Sequence, residues 1–400
     1  MRDRIDLEQM PRFWPPKPSR FWDIALGPLH RAMLRRSHGI HDITIEGMER
    51  IAQIPAADGI LLCPNHSYTG DGSVMLEFGR RAPRRMYIMA AWHGFCGHWG
   101  IDGFLLQRMG AFSVDREGCD RQAMKQAGEI LSTGRMLCIF PEGEIYHLNQ
   151  RLTPLREGVA FIAATAQRDL DKAKSDANVW LVPVAIHYSF IGDVMPALNA
   201  AMTALEQRML ITPDTGRPLH ERIIRFGEIA LTLQEKLHLG AEQDGDLPTR
   251  LTRLTNHVLS QQESRHFGKT NDDDPTPVRV KLLRQHLMEK LWDEKCDPAQ
   301  VPGFKKSLAD VHRALQLYSY PGDYISAEPS VERMAETIEK FEEDVYGTFA
   351  KPKAQRRARI KVGEPLNVKQ HSGAGKLRAV AGAITNDLEE RLRATMAGSL

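Results

Sequence analysis

Two short runs in this chain, GILLCP (59–64) and MLCIF (136–140), have almost no polar position, so neither can turn a face to water. A strand of that kind is stable only inside a parallel sheet covered on both sides. ITIEG (43–47), RMYIMAA (85–91), AFSVD (111–115) and VWLVPVAIHY (179–188) read as further strands. Helical stretches separate them at about 71–81, 94–109, 118–132 and 157–170. The expected fold class is α/β, a mostly parallel sheet flanked by helices, with a helical insertion in the C-terminal half. After Tyr188 helical patterns dominate, as in VKLLRQHLMEKLWDE, whose leucines recur three and four apart. NDDDPTP (271–277) is a polar, proline-bearing break that reads as a linker. ARIKVGEPLNV (358–368) looks like a returning strand, and IIRFGEIAL (223–231) is a second candidate for that role. No internal repeat of solenoid period is visible. The expected organisation is an amphipathic, basic segment at 1–40, an α/β domain at 41–194, a helix-rich insertion at 195–355, and a closing strand with a C-terminal helix at 356–400.

Charge narrows the partners. Lys+Arg 53 against Asp+Glu 51 gives a formal +2, which indicates no nucleic-acid partner. No apolar run approaches the roughly 18 residues a spanning helix needs. The opening MRDRIDLEQM has three acids and no apolar stretch, so no secretory signal is expected. The five cysteines include no C-x-x-C pair, and Cys63 and Cys138 sit in apolar runs as small hydrophobes. A reducing compartment fits better than a disulfide framework or a zinc site. The near-neutral total hides arginine-rich stretches: GRRAPRR (79–85), KPKAQRRARIK (351–361), and residues 1–40 with eight basic side chains against four acidic. Aromatics lie near such basic stretches in two places, FWPPKPSRFWDIALGPLHRAMLRR and AAWHGFCGHWGIDGFLLQRMG. Tryptophan and leucine beside arginine suit a membrane interface. The expected address is cytoplasmic, with peripheral attachment to a membrane surface.

The chemistry gathers at strand ends. In PNHSYTGDGS, Asn65 and His66 follow a buried parallel strand, where open α/β sheets place their ligands. Asp71 lies five residues after His66, with Gly70 and Gly72 expected to let the backbone turn between them. A neutral imidazole can take a hydroxyl proton while a carboxylate on its other nitrogen fixes the tautomer. In MGAFSVDREG a second strand ends in Asp115 and Arg116, and an arginine fork suits phosphate. In CIFPEGEIYH a third ends in Pro-Glu-Gly, which would aim Glu142 into the cleft of His66 and let Gly143 approach a ligand closely. No G-x-S-x-G elbow or G-x-G-x-x-G loop is present. HSGAGK (371–376) lacks the first glycine and the hydroxyl of a phosphate-binding loop, and His93 with His98 lack a third metal ligand.

With these residues the sequence resembles the glycerolipid acyltransferases of the 1-acylglycerol-3-phosphate (lysophosphatidic acid) acyltransferase type. NHSYTGD, GAFSVDR, FPEGE and VPVAIHY resemble the family's four blocks in the family's order, over about residues 40–190. The resemblance implies acyl transfer from acyl-CoA or acyl carrier protein to a hydroxyl of a glycerol-phosphate or lysophospholipid acceptor. His66 would be the general base and Asp71 its orienting group, the two catalytic residues. Asn65, Arg116, Glu142 and Gly143 would bind substrate. The implied partners are an acyl thioester donor and a glycerolipid acceptor, with no metal and no tightly held cofactor. One departure stands out: the family's third block usually continues with threonine and arginine, whereas Gly143 is followed by Glu144, Ile145 and Tyr146. A carboxylate in place of a cation there favours a lysophospholipid over a simple phosphomonoester. The alternative from another class is a non-catalytic lipid- or partner-binding protein on the same fold.

Overall fold

The computed structural model describes residues 10–118, 120–325, 328–371 and 376–398, with the side chains of His98 and Trp99 outside that description. Residues 1–9, Cys119 and 372–375 of HSGAGK, discussed above, lie outside the described residues. The described chain forms two compact units, one of Met195–Ala350 and one of Pro11–Val194 with Lys351–Leu400.

The second unit is α/β. Its strands are β1 (Ile40–Glu46), β2 (Gly59–Pro64), β3 (Met86–Ala91), β4 (Ala111–Val114), β5 (Met136–Cys138), β6 (Val179–Ile191), β7 (Gln355–Val362) and β8 (Leu366–Asn367). Its helices are α1 (Arg20–His38), α2 (Met48–Ala52), α3 (Asp71–Arg81), α4 (Ile101–Arg108), α5 (Arg121–Ser132), α6 (Gly158–Lys172) and, closing the chain, α13 (Leu377–Ala397). The sheet runs β1-β7-β6-β2-β5-β3-β4, with β8 beside β6. It is parallel except where β7 and β8 run against β6. β2 is buried at all six positions, as its unbroken apolar run requires. Cores lie on both faces, one including Leu61, Leu137, Ile130 and Ile384, the other Ile60, Leu62, Phe78 and Ile186.

The first unit is helical: α7 (Met195–Arg208), α8 (Leu219–Leu239), α9 (Leu247–Phe267), α10 (Thr276–Leu291), α11 (Val301–Tyr318) and α12 (Val331–Tyr346). IIRFGEIAL therefore lies inside a helix, and ARIKV supplies the returning strand. Leu219, Ile223 and Phe226 are buried in α8 at spacings of four and three, a helical period.

The helical unit also carries a repeat that hydrophobic pattern does not reveal. Near the end of α7, Glu206 takes a two-pronged contact from Arg222 in the first turn of α8, at 2.6 and 3.3 Å. Glu235 and Arg250 do the same between α8 and α9, at 2.6 and 3.0 Å. Glu263 and Arg279 follow between α9 and α10, at 2.8 and 3.0 Å. Each arginine also reaches a hydroxyl one turn before its glutamate: Thr203, Thr232 and Ser260, at 2.8, 2.8 and 2.9 Å. The arginines at 222, 250 and 279 stand 28 and 29 residues apart, as do the glutamates at 206, 235 and 263 taken in reverse order. Asp272 of NDDDPTP joins the third clasp at 3.1 Å from Arg279, so that segment is a corner between helices and not a linker.

The basic runs are largely consumed inside the α/β unit. Arg80 and Arg81 bind Glu77, and Arg84 caps the carbonyls of Ile54, Pro55 and Asp58. In β7, Arg357 pairs with Asp42 and Arg359 with Glu46, while Arg356 is buried over the rings of Tyr68 and Phe190.

Candidate active site

β2 ends at Pro64, which has no N–H to extend the ladder. Asn65 continues the pairing with its side chain. Its amide accepts from the Ile186 N–H at 2.6 Å and donates to the Ile186 carbonyl at 3.0 Å. Asn149 repeats the device two residues further along β6, on the N–H and carbonyl of Tyr188 at 2.9 and 2.8 Å. Both asparagines stand in for strand backbone, so the polar groups of β6 stay satisfied where its neighbour has ended. Asn65 thus spends its amide on β6 and fixes the direction in which His66 leaves the sheet.

His66 and Asp71 meet because the four residues 68–71 close a turn. The Asp71 N–H donates to the Tyr68 carbonyl at 3.0 Å, and the Tyr68 N–H donates back to Asp71 Oδ2 at 2.8 Å. That oxygen lies 2.9 Å from His66 Nδ1. Asp71 opens α3, where the helix N-terminus favours its negative charge. It is 0% exposed, and its second oxygen accepts from the Tyr188 hydroxyl at 2.5 Å. Burial and the nearby carboxylate push the Tyr188 hydroxyl far above its ordinary range, so it donates as a neutral phenol. A carboxylate facing Nδ1 selects the Nδ1–H tautomer and leaves Nε2 as the acceptor. Phe140 stacks on the imidazole, centroids 4.0 Å apart, and restrains the ring. Gly70 has φ of −80°, so its role is room and not an unusual backbone: a Cβ there would meet the rings of His38 and Tyr68 at 3.1 Å.

Glu142 is buried against the same turn. Its Oε1 accepts the His66 N–H at 2.6 Å, and its Oε2 accepts the Thr153 N–H at 3.1 Å together with the Thr153 hydroxyl. Burial pushes its carboxyl up to about 7, against hydrogen bonds from Thr153 and His66 that pull it down. β5 stops at Cys138, earlier than the apolar run MLCIF suggests. After Pro141 a turn closes from the Gly143 N–H to the Phe140 carbonyl at 3.2 Å. Gly143 sits at φ 75°, where a side chain would be strained and would strike Arg156 at 2.7 Å. Its carbonyl accepts from Arg116 Nη1 at 3.0 Å.

The structure therefore brings His66, Asp71 and Glu142 into one hydrogen-bonded group and sets Arg116 and Gly143 beside it. Sequence reasoning did not single out Tyr188, Thr153, Phe140, Asn149 or Arg156. Among the described residues no group of three or more His, Cys, Asp or Glu could hold a metal ion, and His98 lies outside the described side chains.

Residues 42–187 match the family model described as Acyltransferase, a segment that contains Asn65, His66, Asp71, Arg116, Glu142, Gly143 and Thr153 and stops one residue short of Tyr188. The chain thus carries an acyltransferase-type domain, which supports a general acyltransferase activity and implies an acyl donor and an acceptor. No curated protein matches the chain.

Proposed function

We propose that this protein transfers a fatty acyl group from an acyl-CoA or acyl carrier protein thioester to a hydroxyl of a glycerol-phosphate or lysophospholipid acceptor. One observation carries the reading: His66 Nδ1 lies 2.9 Å from the fully buried Asp71, inside a segment of acyltransferase type. His66 Nε2 takes the acceptor's hydroxyl proton as the oxygen attacks the thioester carbonyl. Asp71, held by Tyr188 and the Tyr68 N–H, stabilises the imidazolium that forms. Collapse of the tetrahedral intermediate breaks the C–S bond, and His66 returns its proton to the leaving thiolate. Glu142 fixes the backbone at His66, and Arg116, from the turn after β4, holds the Gly143 carbonyl of the Glu142 loop and is the cation offered to the acceptor's phosphate.

Lipid substrates also need a surface from which to enter. On α1 the face opposite buried Gly27, His30 and Leu34 exposes Phe21, Ile24, Leu29 and Met33. Trp22 meets Phe104 of α4 edge-on at 5.5 Å, and Arg108 lies over the Phe104 ring. Apolar side chains beside cations suit peripheral attachment to an anionic bilayer, here on the cytoplasmic side. No helix among the described residues is long and apolar enough to cross one.

The test is acyl transfer from labelled acyl-CoA to a panel of lipid acceptors, with His66→Ala beside the wild type. A loss of about 10²–10⁴-fold in the variant is expected. Equal transfer by both proteins would refute the base, and no transfer to any acceptor would favour a non-catalytic lipid-binding role.

A further inference from the structure

The loop that carries Glu142 holds a second carboxylate, Glu144, which is 7% exposed. It stands between two guanidinium groups. Arg116 Nη1 is 3.3 Å from its Oε2, and Arg156 Nη2 is 3.9 Å from its Oε1. Both arginines are fixed by backbone contacts as well. Arg116 donates to the Gly143 carbonyl, and the Arg156 N–H donates to the Pro141 carbonyl at 2.9 Å, with its side chain against Gly143. Gly143 is bonded to Glu142, whose Oε1 holds the His66 N–H.

Two arginine forks converging on the loop that holds the base would by themselves make a receptor for a phosphate monoester, which they can grip through paired hydrogen bonds. Here both forks already face a carboxylate that the chain supplies. Two arginines less one glutamate leave a single net positive charge, and a dianion would have to sit beside Glu144 or displace it. An ionised carboxylate accepts hydrogen bonds but donates none, so it offers an incoming phosphate only repulsion. A phosphodiester, with one negative charge and no need for both forks, meets far less opposition.

We propose that Glu144 is a built-in counter-ion that sets the acceptor class, excluding phosphomonoesters in favour of hydroxyl acceptors whose phosphate is a diester. The acceptor assignment rests on the acyl-transfer reading, whereas the anion-binding behaviour of the loop does not. The experiment therefore has two arms. In the first, glycerol 3-phosphate is titrated calorimetrically into wild type, Glu144→Gln, Glu144→Thr and the double variant Glu144→Gln/Arg116→Gln. Removing one charge at contact distance should tighten binding by about tenfold or more in either single variant. The double variant should lose the gain. In the second arm, turnover of lysophosphatidate is compared with that of lysophosphatidylcholine. Wild type should prefer the choline diester, and the ratio should move toward lysophosphatidate by a similar factor when Glu144 is neutralised. Wild type binding glycerol 3-phosphate as tightly as the single variants, or preferring lysophosphatidate, would overturn the proposal. The wild-type measurements decide it even where a variant does not fold. A gain in phosphate binding with no acyl transfer to either lipid would sustain the counter-ion while removing the proposed reaction.

Discussion

Replacing Tyr188 with phenylalanine removes one oxygen from the least accessible part of the site. Among the described residues its hydroxyl is one of three donors to the Asp71 carboxylate and the one on Oδ1; Tyr68 N–H and His66 Nδ1 share Oδ2. Asp71 is 0% exposed, so water cannot take the vacated place. A hydrogen bond to a charged group contributes about 1.5–3 kcal/mol, and burial puts this one toward the upper end. The ring itself packs on Tyr68 with centroids 5.2 Å apart, and phenylalanine keeps that contact. At about 2–4 °C per kcal/mol for a unit of this size, the melting temperature should fall by roughly 4–10 °C. Catalysis should suffer as well, since a carboxylate with one oxygen unheld positions His66 less well. A loss of about 1.4 kcal/mol in the barrier is tenfold in kcat, with KM little changed because Tyr188 bonds to the far oxygen of Asp71, behind the His66–Asp71 pair. Steady-state acyl transfer and thermal denaturation of Tyr188→Phe measure both numbers. A variant with wild-type melting and wild-type kcat would show that Asp71 does not depend on the phenol.

Three other outcomes follow from the geometry. Glu142 titrates at 4.5 when unperturbed and is pushed up to about 7 by burial, so the folded chain holds its proton more tightly than the unfolded chain. Its contribution is therefore intact below pH 4.5 and is lost as pH rises through 7, about 3 kcal/mol in all. Denaturant midpoints of wild type and Glu142→Gln between pH 4 and 8 should lie close together at low pH and separate as pH rises through 7, with wild type falling below the variant, and parallel curves would contradict this. Glu206→Gln leaves Arg222 buried without its counter-charge and should cost about 3–5 kcal/mol, whereas the double variant Glu206→Leu/Arg222→Met should cost much less; calorimetry of the helical transition separates the two. Phe21→Ser with Ile24→Ser removes two exposed apolar side chains that each contribute about 1.5–3 kcal/mol when buried, so sedimentation with anionic vesicles should weaken by well over tenfold.

The sequence made some of this readable and hid the rest for physical reasons. Fully apolar runs such as GILLCP demanded a covered parallel sheet, and their ends pointed to the cleft. His66 and Asp71 were legible because a local turn joins them. Tyr188 was not, since it reaches Asp71 across 117 residues and only the pairing of β2 with β6 brings it there. Thr153 and Arg156 lie in a loop without a repeating pattern, where no periodicity marks them. Gly70 was noticed for the wrong property, because space and not backbone freedom is what the packed rings need. The helical repeat is hidden because it is written in buried Arg–Glu–hydroxyl clasps, three residues in each 28 or 29, and not in hydrophobic spacing.

The position of β7 has a consequence for the order in which the chain matures. Among the described strands β1 is paired through β7 alone, and β7 lies between β1 and β6. At typical translation rates of 5–20 residues per second, the ribosome needs roughly ten to thirty seconds to pass from the end of β6 to the start of β7. Throughout that interval the edges of β1 and β6 wait unpaired, and open edges invite association with other chains. The clasps between α7 and α10 join neighbours in sequence, so that stretch can form as it emerges. The α/β sheet, by contrast, can close only after residue 362 has been made, and a nascent chain stalled before β7 should be bound by chaperones or aggregate.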